Sequence, residues 1–377
     1  MAFTTERRMK VAIIHYWLVN MRGGEKVIEA LLELFPQADI FTHVYNPQNI
    51  SSSINSKRVF TSKISRLPFA RKFYQFYMPL MPKALIDFNL QEYDLVISSE
   101  SGPAKGVVPG PNAYHICYCH SPMRYLWDMY HDYFLGTSPF VRFFMQRLVP
   151  KLRVWDIMSA NLVDCFIVNS NYIAKRVRRY YNRESIVIYP PVNIEKFLSV
   201  KRSPSASTDG FYLFFGQLTG YKRVDIAIEA CIKSGRKLVV AGAGADKKLM
   251  KNYGNNNQIT FKGKVSDDEI CELYAKATAL LFPGIEDFGI IPVEATAAGC
   301  PVIAYRDGGA IETVKENVTG LFFDEQTSSS LEQAIKRFEC IQEQFNNREQ
   351  FNSHVEQFSG KIFKEKISGI VAEGKRI

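Results

Sequence analysis

Leu280-Leu-Phe-Pro-Gly-Ile-Glu286-Asp-Phe-Gly-Ile290-Ile-Pro-Val-Glu294-Ala-Thr-Ala-Ala-Gly-Cys-Pro301 decides the fold. The apolar run Ala277–Phe282 is short and stops at Pro283-Gly284, which predicts a parallel strand covered on both faces. Pro292 suits a helix start, and Gly299 followed by Pro301 suits its end. Glu286 precedes the loop and Glu294 is expected on the first turn of the helix. Between them, Asp287-Phe288-Gly289-Ile290 offers backbone N–H groups just before a helix N-terminus. Unpaired amides and the helix dipole make that an anion site.

A carboxylate accepts hydrogen bonds from vicinal hydroxyls, as sugars present them, and amides at a helix start hold phosphate. A diphosphate carrying a sugar at each end would use all three parts. Local chemistry alone is equally met by a solvated loop Glu286 and an ordinary helix acid Glu294. The wider pattern goes further. Glu286 and Glu294 with seven residues between them, Phe-Gly-Ile-Ile-Pro inside and Glu-Ala-Thr-Ala-Ala-Gly-Cys-Pro-Val-Ile-Ala after, resembles the signature of the family 4 retaining glycosyltransferases. The likeness continues through Gly308-Gly309, Glu312 and Thr319-Gly-Leu-Phe322. It implies an α/β chain of the GT-B fold, two Rossmann-like domains with a cleft between them. It also implies that Glu286 and the amides of Phe288, Gly289 and Ile290 meet the donor sugar and diphosphate, and that Glu294 meets the ribose hydroxyls.

The 377 residues exceed what one core usually accommodates, so two domains are expected. The reading places an acceptor-binding domain at 1–200 and a linker at Lys201–Gly210. A nucleotide-sugar domain follows at 211–350, and the resemblance implies that a final helix within 351–377 returns to the first domain. Seven scattered Cys have no metal spacing, which suits buried free thiols in a reducing compartment. The N-terminus is charged (Glu6, Arg7, Arg8, Lys10) and runs straight into a strand, so no signal peptide is expected. No 18-residue apolar run predicts a transmembrane helix.

Charge is lopsided. The first 200 residues hold 24 Lys+Arg against 15 Asp+Glu, and the remainder hold 23 of each. A one-sided basic domain points to an anionic partner. Lys57, Arg58, Lys63, Arg66, Arg71, Lys72 and Lys83 occur with no acid between Ser51 and Ile86, interleaved with Phe60, Leu67, Phe69, Phe73, Tyr74, Phe76, Tyr77, Met78 and Leu80. The stretch 140–155 repeats the pattern with Phe140, Phe143 and Phe144 beside Arg142, Arg147, Lys151 and Arg153. Both suit an interfacial segment on anionic lipid, and equally a basic surface over a partly buried aromatic cluster. Nucleic acid could read the same charge, but no nucleic-acid module accompanies it. The expected location is therefore cytoplasmic, peripheral on the inner face of the cytoplasmic membrane.

Lys10–Trp17 reads as the first strand, followed by Gly23-Gly24 as a turn and a helix over Lys26–Phe35. That is a place where backbone approaches phosphate closely, although it is not GxGxxG. Further strands are expected at Ala38–His43, Leu95–Ser98, Ala113–Cys119 and from Phe166. His120 follows a strand end in Cys-His-Ser-Pro-Met-Arg-Tyr-Leu-Trp-Asp, at the edge where open α/β sheets bind ligands. With His15-Tyr-Trp-Leu and Gly23-Gly-Glu25, this stretch resembles the GDP-mannose-dependent mannosyltransferases of bacterial O-antigen and exopolysaccharide assembly. That resemblance implies that Gly23 and Gly24 face the donor diphosphate, that His120 contacts the donor sugar, and that Arg124 and Tyr125 line the acceptor side.

The second half opens with a strand at Phe211–Phe215, then Gly216-Gln217-Leu-Thr-Gly-Tyr-Lys222-Arg223 and a helix from Val224. A Lys in a glycine-bearing loop before a helix suits a phosphate grip. The family usually has Arg where Gln217 stands, so Arg223 is expected to share the grip. Lys237–Ala241 and Ile259 onward are further strands, and the resemblance places the nucleobase near Val265. Gln326 to the end reads as helical, with Phe351, Val355, Phe358, Phe363, Ile367 and Ile370 as one packing stripe.

The expectation is a retaining transferase moving mannose from GDP-mannose to a lipid-linked (polyprenyl-diphosphate) saccharide. His120, Glu286 and Lys222 would be its catalytic residues. No Asp-x-Asp or His/Asp metal spacing occurs, so no cofactor or metal is expected. The alternatives are another nucleotide-sugar donor (a UDP-hexose or a deoxysugar nucleotide) and a non-catalytic nucleotide-sugar or membrane-surface binding protein.

Overall fold

The computed structural model describes residues 9–131, 137–203, 210–244 and 247–374. The charged N-terminus at 1–8, the middle of the expected linker at 204–209 and the last three residues lie outside them. The chain forms two compact units. One takes the residues up to Pro190 and again from Phe363, and the other is Pro191–Ile362.

The first unit holds a seven-stranded, all-parallel sheet in the order β3-β2-β1-β4-β5-β6-β7. Its strands are β1 (Val11–His15), β2 (Asp39–Thr42), β3 (Val59–Thr61), β4 (Leu95–Glu100), β5 (Tyr114–Cys119), β6 (Cys165–Val168) and β7 (Ile186–Val187). Central strands such as β1 and β4 are buried along their whole length, because helices cover both faces of a parallel sheet. Cys117 and Cys119 pack on one face as free thiols among Ala160, Phe166 and Ile173.

The second unit repeats the plan with β8 (Phe211–Phe215), β9 (Leu238–Ala241), β10 (Ile259–Gly263), β11 (Ala277–Phe282), β12 (Val302–Tyr305) and β13 (Gly320–Phe323). Their order is β10-β9-β8-β11-β12-β13. Both sheets therefore reverse winding beside their first strand, between β1 and β4 and between β8 and β11. Ligands of doubly wound sheets bind at such a switch point, outside the carboxyl ends of the strands.

Several expectations need correcting. The unit boundary falls at Pro190-Pro191 rather than in Lys201–Gly210, because the helix Ile194–Leu198 belongs to the second unit. There the Arg348 guanidinium donates to the carbonyls of Leu198 (3.1 Å) and Ala297 (2.6 Å). Arg202 donates to those of Tyr274 and Ala277 (2.7 and 2.5 Å). The two arginines thus satisfy carbonyls at helix C-termini. They also border a cavity of about 810 Å³ beside Thr278 and Pro301, at the amino ends of β11 and β12 and away from the switch point.

Gln326 to the end is not one stripe. Helices span Ser328–Ile341, Arg348–Val355 and Gly360–Gly374. Phe351 packs in the second unit, whereas Phe363, Ile367 and Val371 enter the first unit's core. The basic stretch 57–83 also divides. Phe60 stacks on Phe41 at 4.9 Å, and Leu67, Tyr74, Tyr77 and Met78 pack inward. Phe69 and Phe76 stand 76% and 73% exposed.

Candidate functional site

In the second unit, β11 ends at Phe282 and the chain turns through Pro283-Gly284 to Glu286. Gly284 lets this loop cross the one that follows β8, since a Cβ there would lie 2.8 Å from Lys222 Cα and 3.0 Å from the Tyr221 carbonyl. From the other side, the Gly309 amide donates to the Glu286 carbonyl at 2.8 Å. Gly308 has φ +63 there, and a Cβ on it would fall 2.4 Å from that same carbonyl oxygen. Three loops are thereby fixed against one another, and the Lys222 ammonium forms an ion pair with the Glu286 carboxylate.

Gly289, at φ 90, caps the helix Ile290–Ala297. The helix begins two residues before Pro292, so Glu294 lies just past the first turn rather than on it. The first amides of a helix have no partner within it, so this end is an anion site at the switch point. At the far end, the Cys300 amide donates to the Ala295 carbonyl and the Gly299 amide to Thr296, both at 2.8 Å. That double bond closes the helix as the Gly299-x-Pro301 pattern predicts.

Glu294 is half-buried. Burial pushes its carboxyl up to about 8, aided by the charge of Asp267, while Lys196 and Tyr274 pull the other way. Lys196 is itself engaged with Asp267 at 3.1 Å. The fully buried Tyr274 hydroxyl approaches Glu294 without a well-formed hydrogen bond. At neutral pH this carboxyl is largely protonated until hydroxyl donors satisfy it.

Arg223, expected to share the grip, already has a carboxylate partner. It sits at φ 51, and its guanidinium lies on the Asp225 carboxylate (2.9–3.1 Å) with Gln326 beyond at 3.4 Å. Gln217 is exposed at the end of β8. The Leu218 amide donates to Ala243 and the Gly242 amide to Gly263, which brings the ends of β8, β9 and β10 side by side near Val265.

The first unit gathers its own cluster at the carboxyl ends of β1, β4 and β5. Gly23 and Gly24 are the first turn of the helix Gly23–Leu34 rather than a turn before it. A Cβ on Gly24 would lie 3.4 Å from His15 and 3.5 Å from His120 Nε2. His120 Nε2 is 2.9 Å from Ser99 Oγ, and the Asn169 side-chain amide donates to the His120 carbonyl at 3.1 Å. Burial, with His15 nearby, pushes His120 down to about 3. It is a neutral imidazole across the working range, able to hydrogen-bond a hydroxyl but not to serve as a charged acid.

His15 is fully buried. Its Nδ1 lies 2.9 Å from the Ser99 carbonyl, which can only accept, so Nδ1 carries a proton and Nε2 faces Glu25 at 3.6 Å. Burial raises the Glu25 carboxyl, but His15 and the amides of Arg22 and of its own helix outweigh it, and the group sits below the usual carboxylate range. Ser99 and Tyr274 escaped the sequence reading. Glu25 and His15 were visible only as parts of a motif, and nothing near Ser99 or Tyr274 marks them.

Arg124 is half-buried in the loop after His120. The Tyr125 hydroxyl turns to the Met123 sulfur at 2.7 Å, and its ring packs beside Met123, Leu126 and Val149. Tyr125 is part of the packing under the helix Pro139–Ser159.

Comparisons with known proteins follow this geometry. A family model described as Glycosyltransferase Family 4 matches residues 21–196, and one described as Glycosyl transferases group 1 matches 195–357. Human α-1,3/1,6-mannosyltransferase ALG2 is 28% identical over 229 residues, covering 52% of this chain and 55% of that protein. A Mycobacterium tuberculosis GDP-mannose-dependent α-(1-6)-phosphatidylinositol monomannoside mannosyltransferase is 36% identical over 113 residues, 27% of this chain and 29% of that one. The matched stretch thus spans about half or less of these relatives. Among solved structures, Anabaena Alr3699/HepE in complex with UDP superposes with a TM-score of 0.71 at 19% identity, over 97% of this chain and 100% of that one. Taken together, the two contiguous family matches and the paired parallel sheets show that this chain belongs to the family 4 glycosyltransferases and has the GT-B fold.

Proposed function

We propose that the protein is a retaining hexosyltransferase that moves mannose from GDP-mannose to a lipid-linked saccharide in cell-surface polysaccharide synthesis. The observation that carries this is the second unit's switch point. It sets a cation, Lys222, a carboxylate, Glu286, and a helix N-terminus side by side, with a second, protonatable carboxyl, Glu294, on that same helix. In this reading the helix amides and Lys222 take the diphosphate, Glu286 takes sugar hydroxyls and Glu294 takes the ribose hydroxyls. His120 is assigned to the sugar, as the resemblance implies. The bond from the anomeric carbon to the diphosphate oxygen breaks and one to the acceptor hydroxyl oxygen forms on the same face. The acceptor proton leaves on the departing phosphate. Preorganised positive potential stabilises the charge that develops there. The mannose donor is supported by the mannosyltransferases among the relatives.

Lys222 and the helix end meet the diphosphate charge, so the reading assigns no divalent ion. It also assigns the acceptor's lipid surface to the basic aromatic segments. On the helix Pro139–Ser159, Phe140 is 72% exposed and Phe143 50%, with Arg142 and Arg147 between the same turns. No helix of the described residues is long and apolar enough to cross a membrane, and the reading takes the contact as peripheral. Radiolabel transfer from GDP-mannose to extracted lipid-linked saccharide is the test. Transfer should persist in EDTA, and the chain should float with phosphatidylglycerol vesicles but not with phosphatidylcholine ones. Transfer from UDP-hexose alone would move the reading to another donor, and loss of transfer in EDTA would remove the metal-free assignment.

Glu294 adds a pH dependence. Its folded value, about 8, lies above the usual 4.5, so the folded chain holds the proton between those limits while the unfolded chain has released it. Its contribution to stability falls as pH rises through that window. Ribose hydroxyls favour the ionised form, so GDP binding should tighten from pH 6 toward 8 by up to about tenfold per unit. Calorimetry across that range should show the slope in wild type and a flat profile in Glu294→Gln.

A further inference from the structure

Lys222 and Glu286 are partners of each other before they are partners of any ligand. The two side chains are 11% and 17% exposed. Gly284 and Gly308 bring the loops of this pair into contact at distances that leave no room for a Cβ. Water reaches this pair poorly, so separating it leaves whichever charge has no new partner at a real cost.

We propose that this ion pair discriminates the intact nucleotide sugar from the bare nucleoside diphosphate left after transfer; the inference rests on the nucleotide-sugar reading above. A diphosphate that draws Lys222 toward itself strands the Glu286 carboxylate, and it also brings negative charge beside it. The intact donor compensates on both counts, with phosphate oxygens for Lys222 and vicinal sugar hydroxyls donating to Glu286. The spent nucleotide brings only the first. Once the sugar has gone, Lys222 and Glu286 re-pair, and the leaving diphosphate loses its cation to the neighbouring carboxylate. The pair therefore favours substrate over product and speeds release of the product.

Calorimetry on the whole chain without acceptor tests this, with GDP, UDP and GDP-mannose as probes. Glu286→Gln keeps the shape and removes the charge. Bare GDP should bind that variant roughly tenfold more tightly than wild type, while GDP-mannose should bind at least about tenfold more weakly. In a Lys222→Met background, with no pair left to break, the same change should tighten GDP clearly less, by the relief of charge repulsion alone. An unchanged or weaker GDP affinity in Glu286→Gln, with wild type binding normally, overturns the discrimination and leaves the functional reading standing. Failure of wild type to bind any of the three overturns both. Circular dichroism of each variant keeps a folding defect from being read as either outcome.

Discussion

Glu286→Ala is expected to lower transfer by about a thousandfold or more with the fold intact, as removal of a preorganised group at a reacting centre does. The Glu286 carboxylate is the ion-pair partner of Lys222 at the second unit's switch point. Without it the sugar loses the group that orients its hydroxyls, and Lys222 loses the neighbour that holds it in place. The backbone stays, because the Gly309 amide binds the Glu286 carbonyl rather than its side chain. Lys222 is only 11% exposed, so losing its partner also costs stability, about 1–3 kcal/mol, without unfolding the unit. Turnover in the wild-type range by the folded variant would remove Glu286 from the chemistry.

The second large effect is on stability. Asp156, on the helix Pro139–Ser159, is fully buried and pairs with Lys105, which also lies 3.2 Å from Glu100. The Trp127 indole and the Tyr181 hydroxyl donate to the same carboxylate at 2.8 and 3.0 Å. Burial alone would lower the Lys105 ammonium, but the two carboxylates outweigh it and hold it well above its usual value. Glu100, pushed up to about 7 by burial and by Asp156, stays 3.2 Å from Lys105 when Asp156 is removed. Asp156→Ala should therefore cost the first unit about 3–5 kcal/mol, since it leaves a buried ammonium, an indole and a phenol without their shared acceptor. Lys105→Met with Asp156→Leu should recover much of that, because both charges go together. Urea unfolding of the three proteins gives the comparison. An Asp156→Ala chain as stable as wild type would mean that water reaches Lys105.

What was legible in the chain follows from how local each signal is. Phe211–Phe215 and Ala277–Phe282 fall where their apolar runs predict them, because buried parallel strands carry their burial in their own residues. The edge strands Val59–Thr61 and Ile186–Val187 are too short to show a period, and the first lies inside a run of charge. The break in the C-terminal stripe was invisible because each piece is apolar for a different core. At the site, the types and spacing of Lys222, Glu286 and Glu294 were readable. Their partners were not. That Arg223 is consumed by Asp225 depends on a left-handed residue at the helix start, and the pairing of Lys222 with Glu286 depends on two loops brought together from 64 residues apart. The His15–Ser99–His120 contacts join three strands whose register no sequence pattern states.

Pro150 sits inside the helix Pro139–Ser159 and has no N–H to offer the Gln146 carbonyl one turn earlier. Behind it, Asp156 and Ser159 are buried; ahead of it, Phe140, Phe143 and Phe144 face solvent. The proline thus sits between an exposed aromatic end and an end held by a buried acid, with Val149 buried just before it. In the reading proposed above, the missing hydrogen bond falls between the rings assigned to lipid and the acid buried in the core.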